Sequence, residues 1–362
     1  MRAHTTVANL LSALSHAKDA MVASPPMLAY TGVLLDVDGT TMTVHSCDGD
    51  TSAAFQVDAS DTVAGRALLP PAPLLAWLRT LPGTTGITLT CDSGTHMDVS
   101  FGTSNPYRFR TLSATFPVPG WASGELAGGR IERFSEALAA VAASSAGVAD
   151  VTDKVVHLVS SDAGLTLYST DTFRITRARL PSGGFGDHSL VLPLRTLSLA
   201  AKLGVAGFSV ESGGSVVVDV AGGRMGVRPL AAAFPPAEQV MSAPAAYRTV
   251  LDTSEVLGVL SRMRALAGAT YPVVVDIDGQ VLRLSVDAED TGSGTEEVAL
   301  PSPAASAVWF GLNVDYFRQS LEALPGPQAT VEWTSPNAPV RLSAAGDLDV
   351  SAVVMPVKLA QG

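Results

Sequence analysis

"VLLDVDGTTMTVHSCDGD" spans residues 33–50. Apolar and polar residues alternate on both sides of Asp38-Gly39, the pattern of two strands that each press one face onto a core. Asp-Gly supplies the positive φ that a tight two-residue turn needs, so the stretch predicts a β-hairpin. The same plan returns in "VVHLVSSDAGLTLYSTDTF" (155–173) and "VVVDIDGQVLRLSVDAED" (273–290). A helix pattern precedes each hairpin, over residues 6–20, 129–146 and 252–267. A short strand and a second helix ending in Gly follow it, over 68–83, 190–204 and 310–326, then another hairpin over 86–102, 207–223 and 329–346. The order helix, hairpin, strand, helix, hairpin, closing strand therefore occurs three times, with a period of about 120 residues. It predicts an α+β fold of three helix-hairpin-helix-hairpin modules, 1–122, 123–247 and 248–362.

Residues 36–40 also read D-x-D-G-T, which resembles the first motif of the haloacid-dehalogenase-type phosphatases. That resemblance would make Asp36 a nucleophile and Asp38 a general acid/base, with Mg²⁺ between them. Three features weigh against it. "TMTVHS" continues the two-residue alternation of a strand. The corresponding turns of the other copies read "DIDGQ" and "SSDAG". Lys154 and Lys202 stand in the wrong context for a partner motif, and no acidic G-D-x-x-x-D loop follows. The hairpin turn is the expectation, and a Mg²⁺-dependent phosphatase is the alternative from a different class.

Composition narrows the function further. A chain of 362 residues with 47% hydrophobic content buries sizeable cores in two or three domains. Its 33 Gly and 23 Pro are scattered as turn residues rather than clustered in a low-complexity tract. No run approaches 18 apolar residues, and the N-terminus has no signal-peptide core, so a cytoplasmic protein without a membrane partner is expected. Cys47 and Cys91 make neither a disulfide framework nor a metal motif. The six His residues, 4, 16, 45, 96, 157 and 188, show no ligand spacing. "SHAK" (15–18) matches Ser-x-x-Lys without a companion Lys-Thr-Gly. No catalytic constellation, metal site or cofactor site emerges, and the chain is read as a non-enzyme. A net charge of −11 argues against nucleic-acid binding by the bulk surface.

Five stretches nevertheless carry a resemblance to the bacterial sliding clamps, the β subunits of DNA polymerase III. "AVVMPVKL" (352–359) resembles that family's terminal strand, and "YSTDTFRIT" (168–176) its Ala-Thr-Asp-x-x-Arg-Leu segment in a Phe form that looks actinobacterial. "FRTLSATFP" (109–117) and "AAFPPAEQV" (232–240) resemble the segments closing its first and second domains. "FGLNVDYFRQSLEAL" (310–324) resembles its Phe-Asn-x-x-Tyr helix. The resemblance covers the whole chain. It implies a DNA clamp fold, a head-to-tail homodimer closing a ring around double-stranded DNA, and twelve helices lining the hole. Such a processivity factor holds DNA by topology and a diffuse positive field, without base contacts.

Matched by segment, the resemblance implies three groups of residues. A peptide pocket would be walled by Thr170, Thr172, Phe173, Arg174, Ile175, Pro235, Val240, Asn313, Tyr316, Val353, Met355, Pro356 and Lys358. It would receive short motifs from DNA polymerase III subunits, the clamp loader and other clamp-binding proteins. Lys18, Arg79, Arg133, Arg195, Lys202, Arg262, Arg264 and Arg318 would face DNA. With Arg130 these make nine basic residues in the six helical segments, against seven acidic ones, in a chain that is acidic as a whole. Tyr107 and Phe109 on one side and Leu266 on the other would form the ring interface. Gln239 and Lys358 stand where the family often has Arg, and residue 172 is Thr where relatives carry Gly or Arg. These departures raise a specialised second clamp, inhibitor-resistant or phage-encoded, as an alternative.

Overall fold

The computed structural model describes residues 1–22, 25–92, 94–122, 130–145, 154–268 and 271–359. Two compact units result, one of residues 1–131 with 196–229, the other of 132–195 with 230–362. Among the described residues seven helices form: α1 Val7–Asp19, α2 Pro71–Leu78, α3 Phe134–Ala142, α4 Leu194–Leu203, α5 Ala237–Met241, α6 Thr253–Ala267 and α7 Val314–Glu322. None is long and apolar enough to cross a membrane.

The hairpins form where the turn chemistry places them. Val33–Asp38 pairs antiparallel with Thr41–Cys47, and Gly39 takes φ +57° between them. Gly279 repeats that value between Pro272–Asp278 and Val281–Ala288. Each hairpin belongs to a four-strand array of one design. The first runs Gly65–Leu69, Val33–Asp38, Thr41–Cys47, Thr51–Asp58. The second runs His188–Pro193, Val155–Ser161, Gly164–Thr170, Arg174–Leu180, and the third Val308–Asn313, Pro272–Asp278, Val281–Ala288, Gly292–Ala299. The companion hairpins form companion arrays that end in the closing strands Tyr107–Arg110, Gly223–Val227 and Asp349–Val354.

Two of these closing strands extend a neighbouring array. Gly223–Val227 pairs antiparallel with Thr51–Asp58, giving a seven-stranded sheet in the first unit. Asp349–Val354 pairs in the same way with Arg174–Leu180, giving an eight-stranded sheet in the second. The equivalent strands Tyr107–Arg110 and Gly292–Ala299 each remain at the edge of a sheet.

Helices cover the inner faces. In α1 the fully buried Val7, Leu10, Leu14 and Ala17 follow the three-to-four spacing and pack on Thr41–Cys47 and Thr51–Asp58. Thr6 caps that helix by accepting from the Asn9 amide at 3.3 Å, and Asp252 caps α6 by accepting from Glu255 at 2.9 Å. The helix predicted over 129–146 is observed only as Phe134–Ala142. Arg133 precedes it at φ +61°, a left-handed backbone that cannot continue a helix, and residues 129 and 146 lie outside the described set.

The D-x-D-G-T stretch is hairpin. Asp36 lies opposite Thr43 and Asp38 opposite Thr41 in an antiparallel ladder, so the parallel strand of the phosphatase reading is absent here. The Asp36 carboxylate is held by Arg66, whose Nε donates at 3.0 Å, and it stands 4.0 Å from His45 Nε2. Among the described residues no group of three His, Cys, Asp or Glu side chains could hold a metal ion.

His45 is 3% exposed and its Nδ1 has no hydrogen-bond partner among the described residues. Burial pushes its imidazole down to about 4, against the raising effect of Asp36 and with a lowering effect from Arg66. The folded value lies below the unfolded one, so the neutral ring is the stabilising form. That contribution is complete above pH 6.5 and is lost as pH falls through about 4. A shift of this size corresponds to on the order of 3 kcal/mol. Urea unfolding of His45→Gln should therefore show a shallower loss of stability between pH 6.5 and 4 than wild type; parallel curves would contradict a buried neutral ring.

Candidate functional site

The segment 170–175 is a tight, fully hydrogen-bonded loop between two strands. Asp171 Oδ1 accepts from the amides of Phe173 (3.2 Å) and Arg174 (3.1 Å), and Thr170 Oγ1 accepts from Thr172 N at 3.0 Å. These bonds hold Thr172 at φ +75°, a conformation that β-branched residues rarely adopt. The loop thereby turns the Phe173 ring outward, 58% exposed, and the Arg174 side chain inward, 6% exposed.

Arg174 is the centre of the site. Its Nε donates to Asp171 Oδ2 at 2.9 Å, one terminal nitrogen to Gln319 Oε1 at 2.7 Å on α7, and the other to the Ala143 carbonyl at 2.5 Å just past α3. Its guanidinium lies 4.4 Å from the centre of the Tyr316 ring. Phe173 stacks on the same tyrosine with centroids 6.3 Å apart. Asn313 fixes Tyr316 by capping α7, accepting from the Tyr316 amide at 3.0 Å. Burial raises the Tyr316 hydroxyl above its usual range, Asp171 adds to the rise, and Arg174 opposes it.

The second wall is the chain's last strand. Val354 and Val353 lie opposite Arg174 and Ile175 in the ladder, and Met355 N donates to the Phe173 carbonyl at 2.8 Å. Val353 is buried, Ile175 and Pro356 are half-buried, and Met355 and Lys358 are exposed. Beyond Pro356, Val357 N donates to Gly311 O at 2.8 Å.

Pro235 precedes the short helix α5 and Val240 lies within it; the helix packs on Asp349–Val354. Glu238 anchors this helix, accepting from Tyr168 Oη at 2.5 Å, Ser242 Oγ at 2.7 Å and Arg179 at 2.9 Å. Burial alone would raise its carboxyl, but the Tyr168 and Ser242 hydroxyls with Arg177 and Arg179 hold it at about 2. Burial and the same carboxylate push Tyr168 up to about 12. The loop 170–175, the strand end 353–355 and the helix start 313–316 come together around Arg174. Pro235 and Lys358 are exposed, and the structure does not bring them against Arg174 or Tyr316 among the described residues.

The expected DNA-facing cations divide into two kinds. Lys18 on α1, Arg79 at the end of α2 and Lys202 on α4 are exposed and carry no ion pair with a described acidic residue. Arg195 is also exposed. Arg264 instead binds Asp315 at 2.5 Å, Arg318 binds Glu322 at 2.5 Å and Asp315 at 3.6 Å, and Arg133 binds Glu136 at 2.8 Å. Arg262 reaches Glu296 at 2.5 Å, on the edge strand Gly292–Ala299. Leu266 lies beside the same strand, with its Cδ1 3.2 Å from where a Cβ on Gly294 would stand. At the other edge Tyr107 is 48% exposed and packs on Trp77, with centroids 5.1 Å apart. Phe109 is half-buried 5.8 Å from the same indole.

Two family models match this chain. The N-terminal domain of the DNA polymerase III β subunit matches residues 1–117, and its C-terminal domain matches residues 239–358. The chain belongs to the sliding-clamp family of DNA polymerase III β subunits. Curated β sliding clamps from Synechococcus elongatus and Streptomyces coelicolor are 25% and 26% identical to it, over 97% of each chain. The fold is that of solved clamps. A Pseudomonas aeruginosa clamp with ligand has a TM-score of 0.86 at 18% identity, and a Caulobacter crescentus clamp 0.85 at 20%, each covering 99% of this chain and 100% of its own. These matches favour the sliding clamp over both a phosphatase and a specialised second clamp.

Three residues of this clamp's site escape a sequence reading. Asp171 and Gln319 orient Arg174, and Gly311 receives the tail. Only Asp171 leaves a local signal, an Asp two residues before the amide it accepts from. Gln319 meets Arg174 across 145 positions.

Proposed function

We propose that two copies of this clamp close head to tail into a ring around duplex DNA and tether polymerases through the Arg174–Tyr316 pocket. One observation supports the ring above others. In two of three arrays the last strand, Thr51–Asp58 or Arg174–Leu180, is paired by the closing strand of the next repeat. The third equivalent, Gly292–Ala299, and the closing strand of the first repeat, Tyr107–Arg110, are both left at sheet edges. A second copy satisfies both by the same antiparallel pairing, which removes two edges that otherwise invite aggregation. Their charges are opposite in sign, Arg108 and Arg110 on one strand and Glu296 and Glu297 on the other, with Arg108 already paired to Asp98, Glu296 to Arg262 and Glu297 to Arg283. In this reading the three modules are 1–122, 123–247 and 248–362.

The clamp does no chemistry in this reading. A separate ATPase opens and loads it, the exposed cations Lys18, Arg79 and Lys202 attract phosphates without reading sequence, and polymerase III subunits and other partners dock by short peptides. Sedimentation tests the ring. Wild type should run as twice 37.2 kDa. Tyr107→Ala with Phe109→Ala should shift it toward monomer, because buried interface aromatics commonly contribute about 2 kcal/mol or more each. Both rings also pack on Trp77, at 5.1 and 5.8 Å, so circular dichroism must show the variant still folded for the shift to report the interface. An unaltered dimer at low micromolar concentration would place the interface elsewhere.

A further inference from the structure

Trp309 is 53% exposed on Val308–Asn313, while Trp333 is 1% exposed and Trp77 and Trp121 are half-buried. A lone exposed indole means little, but this one has a setting. Alternation along the strand puts Trp309 on the same face as Gly311, about 7 Å away. Gly311 is where the tail crosses. Val357 N donates to its carbonyl at 2.8 Å, and Leu359 Cδ2 lies 2.6 Å from where its Cβ would stand. Upstream on the tail, Met355 N donates to the Phe173 carbonyl. Phe173, Met355, Val357 and Trp309 therefore follow one another along a continuous path. They are four of the ten large apolar side chains that stand exposed among the described residues, so the exposed apolar surface is concentrated on this strip.

The backbone adds an independent argument. Val308–Asn313 is the edge of its sheet. In an antiparallel ladder the N–H and C=O of one residue point to the same side, and the side alternates. Gly311 spends its carbonyl on the tail, so it faces the open edge, and Trp309, two residues away, faces the same way. The tail's bridge is recorded at Gly311. Among the described residues none is hydrogen-bonded to the Trp309 amide and carbonyl on that side; they stand beside an exposed indole, which is the requirement for adding a strand with one apolar side chain in register.

We infer that the peptide pocket continues along this edge to Trp309, and that the occupant is the flank of the same extended partner segment. The flank pairs its main chain with Trp309 and lays an aliphatic or aromatic side chain on the indole. The inference rests on the pocket reading above and adds a second anchor to it. It predicts that partners differ in affinity through residues outside the short motif.

Three probes test it: the pentapeptide Gln-Leu-Ser-Leu-Phe, and two nine-residue versions that add Ser-Leu-Ser-Leu before or after it. One of the longer peptides should bind the full-length dimer about tenfold more tightly than the pentapeptide. Trp309→Ala should remove that gain, Trp309→Phe should keep most of it, and the pentapeptide should bind all three proteins alike. Indole emission should shift to the blue with the longer peptide only. A pentapeptide that binds and is weakened by Met355→Ala, with no gain from either extension or a gain that survives Trp309→Ala, would overturn the Trp309 anchor and leave the pocket standing. Binding of none of the three would sink both.

Discussion

Removal of residues 355–362 is expected to abolish binding of a Gln-Leu-x-Leu-Phe peptide while the dimer persists. Asp349–Val354 keeps its ladders to Arg174–Leu180 and Val340–Ser343 after the cut, so the eight-stranded sheet retains its pairing. What disappears is the outer part of one proposed wall: the exposed Met355, Val357 and Lys358 with the half-buried Pro356. Tyr107 and Phe109 lie on another sheet and Leu266 on α6, so the proposed ring contacts should survive. Met355→Ala alone should weaken the peptide by about 1–2 kcal/mol through lost apolar burial. Circular dichroism and sedimentation separate a lost site from a lost fold. A folded, truncated dimer with full peptide affinity would remove the pocket from this part of the chain.

The second large effect concerns DNA. Charge reversal of Lys18, Arg79 and Lys202 to Glu should collapse retention on nicked circular DNA without changing the dimer. These cations carry no ion pair with a described acid, whereas Arg133, Arg262, Arg264 and Arg318 already face carboxylates at 2.5–2.8 Å. Each lost phosphate contact flattens the dependence of log affinity on log salt by about one unit, so the triple variant should lose about three. Reversal of Arg264 should matter less, since Asp315 already offsets its charge. Equal salt slopes for wild type and the triple variant would contradict a helix-lined DNA contact.

Much of this fold was legible because its information is local. Asp-Gly at 38–39 and 278–279 specifies a turn, and α1 and α6 announce themselves by Thr6 or Asp252 before an apolar period. The strands that a sequence reading passes over are those whose faces carry little contrast. Thr51–Asp58 holds two alanines at its centre, Arg174–Leu180 alternates with arginines, and Gly292–Ala299 is Gly-rich and acidic. Those three strands join the repeats or are left at an edge, so the order of repeats was readable and the pairing that joins them was not. At the site, the resemblance supplied the pocket positions. The reason Arg174 points inward lies in an Asx-type loop and in partners on α7 and past α3 that no spacing reveals. The helix charges show the same limit. Counting Lys and Arg cannot separate Lys202 from Arg264, because the difference is a carboxylate 51 residues away.

The most direct test of the ring is topological. Clamps loaded by their cognate ATPase onto nicked circular DNA should stay bound through gel filtration in moderate salt. A single restriction cut that linearises the circle should then release them within minutes, because a ring held by topology slides off an end. Retention on the linear product equal to that on the circle would mean that the protein grips DNA by contact, and would contradict a closed ring around the duplex.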